Sequence, residues 1–139
     1  MKANAKSSPA GGVVVRGVPL DFNCMNERHL KKWKDVGETL EQECPGALDL
    51  STNLSEITDF NELIGRYTEG TMAMCKLFDR MFGDGTSRKL FGDAPNYALC
   101  LEVYAEFLEA VEQQGLRMGN RLGSLLTKYA PAGPKGSTT

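Results

Sequence analysis

Any catalysis in this chain would have to be built from a short inventory. There is 1 histidine among the 139 residues, His29, so a Ser-His-Asp or Cys-His nucleophile system has no other imidazole to use. A catalytic base needs an orienting partner and a sheltered pocket. His29 instead sits among Asn26, Glu27, Arg28, Lys31 and Lys32, which read together as a solvated helix face. The segment Gly83-Asp84-Gly85-Thr86-Ser87-Arg88-Lys89 has the glycines, hydroxyls and lysine that suit an anion at a helix N-terminus. Its spacing does not fit G-x-x-x-x-G-K-S/T, and a helical pattern rather than a strand precedes it, so it reads as a glycine turn with an N-cap. Asp79, Asp84 and Asp93 miss the alternate positions of a calcium loop, and no closing glutamate follows them. Glu102, Glu106, Glu109, Glu112 and Gln113 line one side of a helical pattern, but a di-metal centre would also need Glu-x-x-His motifs on partner helices. They read as a solvated acidic face. Cys24, Cys44, Cys75 and Cys100 are scattered without a C-x-x-C pair, so they read as reduced thiols, most of them small core residues, rather than zinc ligands. The residues therefore predict no catalytic, cofactor-binding or metal site.

Charge narrows the classes further. The 16 basic and 18 acidic side chains leave a formal net charge of -2, which gives no electrostatic footprint for nucleic acid. The cluster Arg28, Lys31, Lys32 and Lys34 reads as ordinary surface. No apolar run approaches the roughly 18 residues that span a bilayer. Nor does the amino terminus hold the apolar stretch of about 7–15 residues found in a secretory signal, so a cytosolic protein is expected. The 41% hydrophobic fraction is enough for one packed domain.

Residues 1–12 and 131–139 are too poor in apolar groups to order themselves and are expected to be disordered, flanking a single domain over 13–130. Val13-Val14-Val15 and Val18-Pro19-Leu20-Asp21-Phe22 around Arg16-Gly17 predict a β-hairpin, with Pro19 on an edge. Asn26 reads as an N-cap for a first helix with apolar positions Leu30, Trp33, Val36 or Gly37, and Leu40, ended by Cys44-Pro45-Gly46. A second, longer stripe steps by three or four through Leu54, Ile57, Phe60, Ile64, Tyr67, Thr71, Met74, Phe78 and Met81. It widens near its end into a set that implies burial on several sides or an interface. Thr86 is expected to cap a short helix through Phe91, and Asn96 a long one bearing Tyr97, Leu101, Tyr104, Phe107 or Leu108, Val111, Met118, Leu122, Leu126 and Tyr129. The predicted fold is mainly α: an N-terminal hairpin, three main helices and one short one.

Gly115, Gly119 and Gly123 recur every fourth residue on the last helix. They predict either a weak, fraying end or a helix that orders on docking to a partner.

Leu77-Phe78-Asp79-Arg80-Met81-Phe82-Gly83-Asp84-Gly85-Thr86, followed by Lys89-Leu90-Phe91-Gly92, Cys100-Leu101-Glu102 and Phe107-Leu108, resembles a pattern in small phage and prophage tail proteins. The hairpin over residues 14–22 matches the usual start of such chains. The chain resembles the tail assembly chaperones of long-tailed phages over roughly residues 14–129, departing from them at its C-terminus, where the expected Asn-Arg after the proline is missing. That resemblance implies a non-enzymatic protein of the host cytoplasm. It would coat the tape measure protein, recruit tail tube subunits, and be absent from the finished virion. It also allows a homo-oligomer. Phe82, Leu90, Phe91, Met118 and Leu122 are the expected partner-binding residues, with Phe91 presented beside two glycines. The alternative is a head–tail completion or baseplate protein that stays in the particle.

Overall fold

The computed structural model describes residues 12–47 and 56–129. The tails expected over 1–12 and 131–139 lie almost wholly outside the described residues, as does the position of Leu54. The fold is mainly helical. A two-stranded hairpin is followed by four helices, three long and one short.

The hairpin pairs β1 (Val13–Val15) with β2 (Val18–Leu20) in antiparallel register, Val13 opposite Leu20 and Val15 opposite Val18. Its two-residue turn places Arg16 at φ 51° and Gly17 at φ 79°. Two positive φ angles make the tight turn whose twist matches the strands it joins. Alternation then puts Val13, Val15 and Leu20 inside, while Val14 and Pro19 point outward. With only two strands each is an edge, so the missing N–H of Pro19 costs no inner ladder bond.

Helix α1 (Glu27–Glu43) begins where predicted: the Asn26 Oδ1 accepts from the N–H groups of Arg28, at 2.8 Å, and His29, at 3.3 Å. Helix α2 (Phe60–Phe82) begins later than the apolar stripe suggested. The Asp59 Oδ1 accepts from the N–H groups of Asn61 and Glu62, at 2.9 and 3.3 Å, so Ile57 lies before the helix. The stripe also changes character along α2. Phe60, Ile64 and Tyr67 are exposed, whereas Met74, Leu77, Phe78 and Met81 are buried.

The short helix α3 (Thr86–Phe91) is not capped by Thr86 as expected. Gly85, at φ 92°, holds the cap position, and the Thr86 hydroxyl donates to the Gly83 carbonyl at 2.7 Å. The cap comes instead from α2: the Asp79 carboxylate accepts from the Ser87 N–H at 2.7 Å and from its hydroxyl at 3.0 Å. This clamp folds α3 back onto α2. Helix α4 (Tyr97–Tyr129) starts at Asn96 as predicted, where the Asn96 Oδ1 accepts from the Leu99 N–H at 2.9 Å.

One aromatic cluster joins the four helices to the segment that follows the hairpin. Phe78 packs edge-on against Phe91 and Phe107, with ring centroids 5.6 Å apart in each pair. Phe22, following the hairpin, meets Trp33 of α1 at 5.3 Å and Phe107 of α4 at 5.6 Å. Such perpendicular contacts add about 0.5–1.5 kcal/mol per pair to the burial itself. Close packing of α2 on α4 is also set by Gly70, where an added Cβ would overlap the Tyr97 ring.

Candidate protein-binding surface

The hairpin is held to α4 by two polar devices that leave most of the fold's apolar faces to the helices. In the first, the Arg16 guanidinium bonds Glu102 at 2.9 Å and Glu106 at 2.8 Å, which holds the Glu106 carboxyl below its ordinary range. The acidic face is therefore partly neutralised by the hairpin tip rather than simply solvated. In the second, Gln114, 2% exposed, accepts through Oε1 from the Cys24 N–H at 2.9 Å and donates through Nε2 to the Phe22 carbonyl at 2.7 Å.

Between α1 and the rest of the body lies an open groove of about 460 Å³. Leu30, Trp33 and Gly37 of α1, Met74 and Leu77 of α2, and Tyr104 of α4 form its apolar lining, and Lys34, Glu38 and Glu41 rim it. Helical spacing puts Leu30, Trp33 and Gly37 on one face of α1. Gly37 leaves that wall open, because a Cβ built there meets no atom within 4 Å. Leu30 remains 43% exposed at the groove's edge. Burial pushes the Tyr104 phenol up, an effect partly offset by its hydrogen bond with Trp33. This arrangement of apolar floor and charged rim accepts an apolar side-chain row from another helix. Sequence reasoning assigned Leu30, Trp33 and Gly37 to the buried stripe and missed the groove. The available signal was Gly37 itself, a glycine within a helix's apolar face.

The five residues expected to bind a partner do not form one surface. Leu90 and Phe91 are core, 5% and 4% exposed, so the expectation that Phe91 is presented beside its glycines is overturned. The reason is the Asp79–Ser87 clamp, which turns the apolar side of α3 inward onto Phe78. Phe82 is half-buried against Phe107, its ring centroid 5.9 Å away. Only the α4 pair remains partly or fully outward: Met118 is half-buried and Leu122 is 51% exposed.

His29 differs from its expected place on a solvated face. It is half-buried, and its Nδ1 accepts from the Asn23 N–H at 2.8 Å, which assigns the ring proton to Nε2. All four cysteines are free thiols, and burial pushes the Cys100 thiol up to about 12. Cys100 is buried as expected of a core residue, while Cys24, Cys44 and Cys75 are only partly covered. Among the described residues no three His, Cys, Asp or Glu side chains are grouped to hold a metal ion, and no helix is long and apolar enough to cross a membrane.

No curated protein and no solved structure matches the chain. A family model described as a family of unknown function, DUF6673, matches residues 16–136, from the hairpin turn through the whole helical body. The chain belongs to that family.

Proposed function

We propose that this protein is a non-enzymatic phage tail assembly chaperone that holds the tape measure protein and helps recruit tail tube subunits. The observation that carries this reading is the open groove of Leu30, Trp33, Gly37, Met74, Leu77 and Tyr104. A long helical client exposes rows of apolar side chains at three- and four-residue spacing, and such a groove takes one row at a time. Methionine on the floor suits a client of varied sequence, since its thioether adapts to different partners. The turn from Leu77 to Thr86 supports the assignment through its resemblance to tail assembly chaperones. The Asp79–Ser87 clamp gives that turn a structural task.

Gly37→Leu tests the reading without damaging the fold. The new side chain meets open space and fills the groove. Losing a mid-helix glycine should raise stability by about 0.5–1 kcal/mol. Co-expressed with the tape measure protein of the same phage, the wild-type chain should keep that client in the supernatant, and Gly37→Leu should leave it in the pellet. A variant that is folded and still solubilises the client would exclude the groove. Purified virions should lack the protein by mass spectrometry; its presence there would favour a retained head–tail or baseplate component.

A further inference from the structure

A second pocket, of about 340 Å³, lies where the hairpin exit, the first turns of α1 and the end of α2 meet. It shares no lining residue with the groove. Half-buried Phe82 gives it an apolar wall, backed by Phe22 and Met81, which are almost wholly covered. Gly83, which ends α2, adds no side chain to narrow it.

Three polar side chains line the same pocket: Asp21 just beyond β2, and His29 and Lys32 on α1. Their spacing of three residues sets His29 and Lys32 side by side on the helix. The His29 Nδ1 accepts from the Asn23 N–H at 2.8 Å, so the proton sits on Nε2. That Nε2–H, the Lys32 ammonium and the Asp21 carboxylate have no partner within the chain among the described residues.

A ligand that engages all of them needs a carboxylate for the two donors, an N–H for Asp21 and an apolar group for Phe82. Phosphate lacks the last two, and a fatty carboxylate lacks the N–H. The last residue of a polypeptide carries all three on one Cα. The pocket is open to solvent, so the chain that precedes the bound residue has an exit.

We infer that this pocket binds the C-terminal residue of a partner polypeptide that ends in an apolar side chain. Lys32 and the His29 Nε2–H hold its carboxylate, and Asp21 accepts its main-chain N–H. Each of these hydrogen bonds has one ionised member, which makes it stronger than a neutral one. Capture of a terminal carboxylate by fixed donors is a general mode of peptide recognition. Because the groove is separate, the inference stands whether or not that groove holds a tape measure protein.

Fluorescence anisotropy with the full chain tests it, using two fluorescein-labelled pentapeptides that end in leucine and in phenylalanine. At least one should bind saturably as the free acid, and its C-terminal amide about tenfold or more weakly. Lys32→Glu should weaken the free acid by a similar factor. Lys31→Glu, at an exposed neighbour outside the pocket, should leave binding within about twofold of wild type. Circular dichroism should be unchanged in Lys32→Glu, because Lys32 is exposed and unpaired. Absence of saturable binding by both peptides at millimolar concentration overturns the inference. So does equal binding of acid and amide, or binding indifferent to Lys32→Glu. Free leucine or phenylalanine that displaces the peptide at equal concentration overturns the assignment to a chain end.

Discussion

Phe91→Asp should abolish the cooperative unfolding transition, leaving a chain with little helical signal at 222 nm even without denaturant. Phe91 is 4% exposed and stands edge-on to Phe78, rings 5.6 Å apart and inclined at 81°. Removing a buried phenylalanine costs about 3–5 kcal/mol through lost transfer energy and the cavity left behind. A carboxylate in that cavity adds the cost of an unpaired buried charge, several kcal/mol more or a proton taken up to avoid it. Domains of this size hold only about 5–15 kcal/mol in total. The neighbouring Lys89→Asp is the control: Lys89 is exposed, and its replacement should stay within about 0.5 kcal/mol of wild type. A folded Phe91→Asp with an unchanged midpoint in urea would mean that α3 does not pack as described.

Gln114→Ala should lower the melting temperature by about 10 °C. The buried amide ties the strand exit at Phe22 and the start of the following turn at Cys24 to α4. Truncation strands the Cys24 N–H and the Phe22 carbonyl away from water, at about 1–3 kcal/mol for each unsatisfied group. For a domain of this length 1 kcal/mol moves the midpoint by roughly 3–5 °C. Amide exchange should quicken most in β1 and β2, because these bonds anchor the hairpin to the helices. A melting temperature within 2–3 °C of wild type, roughly the shift expected of less than 1 kcal/mol, would show that the Arg16 contacts and the apolar side of the hairpin suffice.

Local chemistry was legible wherever one residue type acts on its own neighbours. Asn26 and Asn96 were read as caps because a short amide beside a helical stripe has one obvious use, and each accepts from the helix it precedes. Arg16-Gly17 gave the hairpin turn for the same reason. The readings that failed depend on how helices fold back on one another. Thr86 resembled a cap, but the cap is Asp79, donated from the preceding helix across the glycine turn. That same fold-back buries Phe91, whose neighbouring glycines had suggested presentation. Asp59 was overlooked because the apolar stripe runs past it, toward Leu54 and Ile57, without a break. Gln114 stood unnoticed beside Gln113 at the end of an acidic series. Its burial follows from helical phase, which puts it on the side of Phe107 and Val111 rather than that of the glutamates. The groove was invisible because it requires knowing that Met74 and Leu77 face α1 across the gap at Gly37.

Amide hydrogen exchange, with and without a soluble helical segment of the tape measure protein, tests the central claim most directly. A chaperone that seats its client in the groove should show slowed exchange over Leu30–Glu41 of α1 and the facing turns of α2 around Met74 and Leu77. The exposed first turns of α2, from Phe60 to Tyr67, should not change. Exchange that is the same with and without the client, or protection confined to regions away from the groove, would contradict the assignment.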